Sequence, residues 1–203
     1  MLTVHLFGKP ETHIGNEAPI VFPTAQAEAI FYYLVWAKQP ILHTKIASIF
    51  WPKMSDADAR AEWQQLLPLL QHATHNLLRI SAKQAAFNRQ SEYWVDIYEL
   101  ELFFNVPTLS KRHKFEKLTT LYRGTFLTGL GEVGGAEFNR WQTHCQRNFE
   151  ERVVGTLQGL AENCLQTKDF VLGFQVTHWW LTLQPGNELA HRLRMLLFWH
   201  NKQ

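Results

Sequence analysis

The chain has 203 residues, 46% of them apolar and 13% aromatic, and its formal net charge is +2 at pH 7. This composition excludes a disordered chain, supports one large core or two small ones, and gives only weak electrostatic attraction to polyanions. The longest apolar run, 29–37, is shorter than the roughly 20 residues that span a bilayer, and the N-terminus lacks a signal-peptide pattern. Cys145 and Cys164 form no paired motif, so the sequence predicts a cytoplasmic protein with buried or half-buried thiols.

The first 97 residues combine short strands with helices. Alternating apolar residues predict strands at 2–6, 11–14 and 20–22, and two later strands at 77–81 and 85–88 that form a hairpin with Lys83 at its tip. Apolar residues at helical spacing predict helices at 25–38, 44–50 and 55–78. This order is that of an OmpR-type winged helix, in which the last two helices form a helix-turn-helix and the hairpin forms the wing.

The long helix predicted at 55–78 is the candidate recognition helix. Ser55 with Asp58 three residues later indicates an N-cap, and Trp63 and Leu66 lie on the apolar stripe expected to face the core. Pro68 falls inside this helix, where proline costs roughly 3 kcal/mol in a regular interior. It indicates either a bend that follows a DNA groove or a kink imposed by packing.

From residue 98 onward the composition is helical, with a glycine-rich connection at 129–135 and breaks at 168–169 and 184–187. The 34-residue tetratricopeptide pattern matches Leu157, Leu160, Ala161, Cys164, Lys168, Asp169, Phe170, Phe174 and Pro185, whereas Gly173 and Trp180 stand where alanine is usual. The sequence therefore predicts a mainly α fold with a small β component. A winged helix-turn-helix domain at 1–97 is followed by an all-helical, tetratricopeptide-like domain at 98–203.

The last predicted helix, 188–199, carries four leucines on one side: Leu189, Leu193, Leu196 and Leu197. A tetratricopeptide helix of this kind is normally covered by a following helix, yet the chain stops soon after it. An uncovered apolar face indicates either a C-terminally truncated chain or a homo-oligomer formed through this helix.

Five segments carry a family resemblance by their order along the chain: LTVHLFG (2–8), FWPKMSDADAR (50–60), WVDIYELE (94–101), LYRGTFLTGL (121–130) and the helical run after Arg147. Together they resemble the antibiotic-regulatory-protein (SARP) type of bacterial transcriptional activator over nearly the whole chain. The resemblance implies an OmpR-like winged helix joined to a bacterial transcriptional activator domain with tetratricopeptide folds. It also implies sequence-specific binding to direct repeats in promoter double-stranded DNA and recruitment of RNA polymerase.

Candidate DNA contacts lie on the predicted helix-turn-helix and on the wing. Gln64 and Gln65 can read adenine edges, and Arg60 can hold a phosphate or a guanine. The remaining candidates are Thr44 and Lys45 for the DNA backbone, Lys83 for an adjacent minor groove, and Gln71 and His72 at the end of the recognition helix.

The end of the candidate recognition helix departs from the family. Relatives carry arginine, leucine, arginine and lysine where this chain has Leu69, Leu70, Gln71 and His72. Residues 1–96 hold five Lys and three Arg against eight Asp and Glu, so the predicted DNA-binding domain is neutral. Because cation–phosphate contacts dominate DNA affinity, two functions stay open. They are a DNA-binding regulator and a protein-interaction module of the same ancestry with weakened or lost DNA binding.

Other motifs indicate no further chemistry. No nucleophile, base and orienting group occur at a recognisable spacing, so the sequence predicts neither an enzyme nor a cofactor. His72 and His75 lie one helical turn apart without a third ligand nearby, and they are expected to be surface histidines rather than a metal site. The basic run at 111–114 is expected to be a solvated helix start, although it could contact DNA or polymerase.

Overall fold

The structure is a computed structural model that describes residues 1–75, 77–105, 109–131 and 133–202. It is mainly helical with a small β component, as predicted. The strands are β1 (Leu2–His5), β2 (Glu11–Ile14), β3 (Ile41–Leu42), β4 (Leu78–Ile80), β5 (Gln84–Phe87) and β6 (Tyr93–Val95). The helices are α1 (Ala25–Trp36), α2 (His43–Phe50), α3 (Asp56–Ala73), α4 (Asp96–Phe104), α5 (Lys111–Leu121), α6 (Ala136–Gln166), α7 (Phe170–Leu183) and α8 (Glu188–Asn201). Within these described ranges, no helix is long and apolar enough to cross a bilayer.

Contacts divide the chain into two compact units, each made of two stretches. The first unit comprises Met1–Tyr98 and Phe126–Cys145, and the second comprises Glu99–Thr125 and Gln146–Gln203. The domain boundary predicted between residues 97 and 98 lies next to the first of these divisions. The stretch 126–145, which that boundary assigns to the helical domain, groups with the first unit.

One sheet of the first unit is built around β1, which pairs antiparallel with β2 and parallel with β6. The predicted strand at 20–22 is wrong, because this segment follows β2 as an irregular loop in which Val21 is 87% exposed. Pro19 and Pro23 flank the segment, and proline supplies no N–H to a strand ladder. The third strand of this sheet is Tyr93–Val95, which is too short for periodicity to indicate.

Asp96 anchors the end of β1 to the start of α4. Its Oδ2 accepts hydrogen bonds from the N–H groups of Leu6, at 2.8 Å, and Phe7, at 3.0 Å, and its side chain is fully buried. The Leu6 carbonyl in turn accepts from the N–H of Leu127 at 2.7 Å, beside an antiparallel bridge between Phe7 and Phe126. The interpretation of everything after residue 98 as helical is therefore wrong at this stretch, because its backbone groups pair with the segment that follows β1.

The N-cap predicted for α3 is confirmed. The Ser55 hydroxyl accepts a hydrogen bond from the Asp58 N–H at 3.2 Å and donates one to the Asp58 carboxylate at 2.6 Å. Trp63 is buried, with 1% exposure, and faces the core as expected, whereas Leu66 is only half-buried. Helix α3 thus turns one apolar side to the interior of the first unit and leaves a broad outer face in solvent.

Helix α3 ends at Ala73, five residues before the predicted end at 78. The Thr74 hydroxyl donates to the Leu70 carbonyl at 2.7 Å, and His75 adopts a left-handed φ of +43°. A left-handed residue cannot continue a right-handed helix, so the chain leaves α3 here. It then forms the β4–β5 hairpin, whose second strand also pairs with β3.

In the second unit, α7 and α8 form a packed pair. Gly173 lies at a close approach, because a Cβ at this position would lie 2.7 Å from Cδ2 of Leu197. This contact explains the departure from alanine in the repeat pattern. The prediction of an uncovered leucine face is wrong for Leu193 and Leu197, which are 4% and 0% exposed. These two leucines fill the interior of the pair, so the solvent-exposed apolar surface of α8 lies on another side.

Replacing Asp96 with Ala should lower the free energy of unfolding by about 2–4 kcal/mol, because two buried N–H groups lose their acceptor. Asp96→Asn retains a carbonyl oxygen and should lose less. Asp56→Ala removes an exposed acid from the first turn of α3 and serves as the control, with an expected loss of about 0.3–1 kcal/mol. Urea denaturation measures all three variants, and equal losses for the two alanine variants would contradict the anchoring role of Asp96.

Candidate nucleic-acid interface

A groove of about 530 Å³ lies in the first unit, between the start of α2, the middle of α3 and the β4–β5 hairpin. Four of the predicted DNA contacts line it: Thr44, Arg60, Gln64 and Lys83. Trp63, Leu67 and Ile80 contribute apolar surface to the same groove. Residues that are distant in sequence and differ in chemistry therefore meet at one concave surface.

His43 connects the three elements around this groove. Its Nδ1 accepts a hydrogen bond from the indole N–H of Trp63 at 2.9 Å, and its Nε2 lies 2.9 Å from the carbonyl oxygen of Ser81. An indole N–H can only donate and a carbonyl oxygen can only accept. The geometry therefore selects the neutral imidazole with its proton on Nε2, which bonds α3 and the hairpin through one side chain. Sequence reasoning missed His43, because it precedes the predicted helix and belongs to no motif.

Backbone contacts hold the hairpin turn in the same place. The His43 N–H donates to the Lys83 carbonyl at 2.9 Å, and the Ser81 hydroxyl oxygen accepts from the Gln84 N–H at 3.1 Å. The Lys83 side chain is exposed at the rim of the groove. Its ammonium group is thus carried by an ordered turn, close to where α2 begins.

Lys45 forms an ion pair within the first unit. Its Nζ lies 2.5 Å from Oε1 of Glu137, and both side chains are 47% exposed. Lys45 follows Thr44 at the start of α2, where it was predicted to bind a phosphate. A DNA phosphate would have to compete with the Glu137 carboxylate for this cation.

The other three predicted contacts lie outside the groove. Gln65 is exposed on the outer face of α3, and Gln71 is half-buried near the end of the helix. His72 lines a different concavity together with Leu69, His75 and the loop 17–23. The end of α3 at Leu69 and His72 therefore faces this loop rather than the groove.

Positive charge is unevenly distributed between the two units. The first unit contains nine Lys and Arg against ten Asp and Glu, whereas the second contains eleven against eight. The outer face of α3 adds no excess cation, because Arg60 is accompanied by Asp56, Asp58 and Glu62. The groove therefore carries polar groups that suit DNA, although the first unit as a whole has no excess of positive charge to attract it.

Neither the two cysteines nor His72 and His75 line the groove. Both cysteines are free and buried, as predicted, and burial raises the pKa of the Cys164 thiol, which keeps it protonated. Within the described ranges, no group of three His, Cys, Asp or Glu side chains could hold a metal ion. The rings of His72 and His75 lie with their centroids 6.5 Å apart and their planes tilted by 38°.

The hydrogen bond between Trp63 and His43 should make the effects of mutating these two residues on the free energy of unfolding non-additive. His43→Ala and Trp63→Phe each break the same hydrogen bond, so the double variant should be less destabilised than the sum of the single variants, by about 0.5–1.5 kcal/mol. Trp180→Phe, at a buried tryptophan of the second unit, is the control and should add to His43→Ala without coupling. Strict additivity for the His43 and Trp63 pair would contradict the connection.

Comparisons with known proteins give a likeness in fold. No protein-family model matches the sequence, and no curated protein matches it significantly. The structure is similar to that of Mycobacterium tuberculosis EmbR, solved in complex with a low affinity phosphopeptide, with a TM-score of 0.57 and 12% sequence identity. The likeness covers 98% of this chain and 65% of that chain, so this chain spans about two thirds of the EmbR chain. At such low identity the likeness shows a fold of the SARP type.

Proposed function

We propose that the chain is a DNA-binding transcriptional regulator whose first unit acts as a winged helix. In this proposal α2 and α3 are the helix-turn-helix, and the β4–β5 hairpin is the wing. The observation that carries it is the convergence of Thr44, Arg60, Gln64 and Lys83 on one groove beside α3. The likeness in fold to EmbR fits this proposal, as does the order of the SARP-like segments.

Each of the four groove residues has a role that suits its chemistry. Arg60 and Lys83 supply cations on opposite walls of the groove, where a DNA phosphate strand can pass between helix and wing. Gln64 offers a donor and an acceptor suited to an adenine edge. Thr44 adds a hydroxyl for a phosphate oxygen. Gln65 on the outer face of α3 is a further base contact in this proposal, while the second unit contacts polymerase or another protein.

A second function is favoured by the charges. Because the first unit has no cationic excess and Lys45 is paired with Glu137, its DNA affinity should be low. A protein-interaction module that has kept the ancestral fold accounts for both observations. The two functions differ in whether the groove binds DNA with sequence preference.

Selection of duplexes from a random pool, followed by affinity measurements at several salt concentrations, tests DNA binding. The regulator should select a common sequence, and the double variant Arg60→Gln, Lys83→Gln should flatten the plot of log affinity against log salt by about two units, one for each lost phosphate contact. Lys9→Gln, at an exposed lysine in the β1–β2 turn of the same unit, should leave the slope nearly unchanged. The absence of any selected sequence, even at low salt, would favour the interaction module.

Glu137→Gln should strengthen DNA binding about two- to fivefold at low salt, the equivalent of one surface ion pair, because it frees Lys45 for phosphate. Glu92→Gln removes an exposed acid elsewhere in the first unit and controls for the change in net charge. Lys45→Gln in the Glu137→Gln background should abolish the gain. An equal gain from the Glu92 variant would mean that only net charge matters.

A further inference from the structure

Helix α8 exposes a straight stripe of side chains on the side away from its buried leucines. The stripe consists of Glu188, Arg192, Met195 and Trp199 on α8 and of Lys202, which follows α8 with helical backbone angles, and all five are exposed. Successive members are separated by four, three, four and three residues, which keeps them on one helix face. Met195 and Trp199 are 63% and 66% exposed, although Leu193 and Leu197 on the opposite side are buried in the second unit.

The apolar part of this surface is large for a single short helix. Leu196 and Phe198 flank the stripe with 37% and 49% exposure, and the Phe198 ring packs against Phe174 with centroids 4.4 Å apart. Val171, one turn before Phe174 on α7, is 67% exposed. Clustered exposed apolar side chains of this size indicate a surface that binds another macromolecule.

The charges at the two ends of the stripe are opposite in sign and equally far from its centre. Glu188 lies seven residues before Met195, and Lys202 lies seven residues after it. We propose that α8 pairs with α8 of a second copy of this chain, antiparallel and about a two-fold axis at Met195. In this register each Glu188 faces Lys202 of the other copy, and the two Met195 side chains meet at the centre.

The same register also places cations against aromatic rings. Arg192 lies three residues before Met195, so it is level with Phe198 and Trp199 of the second copy and shares the side of the stripe that carries Trp199. A guanidinium over an aromatic face is attracted by the electrons of the ring. A parallel pairing would instead set Glu188 against Glu188 and Lys202 against Lys202, so the charges favour the antiparallel arrangement.

The size of the helix sets the expected strength. Its 14 residues span about 21 Å, which supports an interface smaller than the standard size of stable complexes. The dimer should therefore be weak and concentration-dependent. An isologous contact about a two-fold axis closes after two copies, so larger assemblies are not expected. This inference goes beyond the proposed function and holds whether or not the first unit binds DNA.

Sedimentation equilibrium of the full chain over a wide concentration range tests the pairing. The chain should show a monomer–dimer equilibrium, and Met195→Asp should weaken it at least tenfold by placing two carboxylates at the axis. Met54→Asp introduces the same charge at a methionine of the first unit that is 46% exposed, and it should not change dimerisation. A monomer at every concentration, or equal behaviour of the two variants, would overturn the proposal.

Charge reversal tests the register. Glu188→Lys and Lys202→Glu should each weaken dimerisation several-fold, and the double reversal should restore it. Each substitution is unfavourable for the α8 dipole, because it places a cation at the N-terminus or an anion at the C-terminus of the helix. The double variant carries both unfavourable changes, so only restored pairing between the two copies can explain a recovery of dimerisation. Circular dichroism verifies that α8 remains folded in each variant. A double variant no tighter than the single variants would overturn the antiparallel register.

Discussion

The hydrogen bonds from Trp63 through His43 to Ser81 are the constraint on which the candidate interface depends. Trp63 belongs to the core of the first unit, whereas Ser81 lies in the exposed turn of the β4–β5 hairpin. The neutral imidazole of His43 bonds to both residues, so it holds the turn in a fixed position relative to the core. It also fixes the distance between α3 and Lys83, and this distance sets the width of the groove.

Geometry and charge support different conclusions about this interface. The groove brings together groups that suit phosphates and base edges, yet nine basic residues in the first unit are balanced by ten acidic ones. One of these nine, Lys45 at the start of α2, is paired with one of the ten, Glu137. Long-range attraction to DNA therefore contributes little, and any DNA affinity has to come from short-range contacts, which are also the ones that discriminate between sequences. This balance is why a DNA-binding regulator and an interaction module are both compatible with the same fold.

The elements that follow from local signals were predictable from sequence. Ser55 caps α3 through a contact three residues away, and Trp63 is buried because it falls on a periodic apolar stripe. Long-range pairing was not predictable. Two segments complete their backbone hydrogen bonds with the residues in and after β1: Tyr93–Val95 and the stretch after Thr125. The local sequence pattern of these segments does not indicate that partner. The early end of α3 at His75 and the burial of Leu193 and Leu197 likewise depend on tertiary context.

The same distinction applies to the site. Residue type and position were enough to choose Thr44, Arg60, Gln64 and Lys83, and the folded chain brings these four residues to one groove. Sequence could not show that Glu137 pairs with Lys45, that His72 faces the loop 17–23, or that His43 bonds two elements. Each of these depends on side chains that meet only after folding.

In the proposed regulator, DNA binds in the groove between α3 and the hairpin. Hydrogen–deuterium exchange of the full chain, with and without a duplex selected from a random pool, tests it most directly. Binding in the groove should protect residues 42–44, 60–67 and 80–84 and change the exchange of α8 little. Protection confined to α5 or α8, in the more basic second unit, would contradict it.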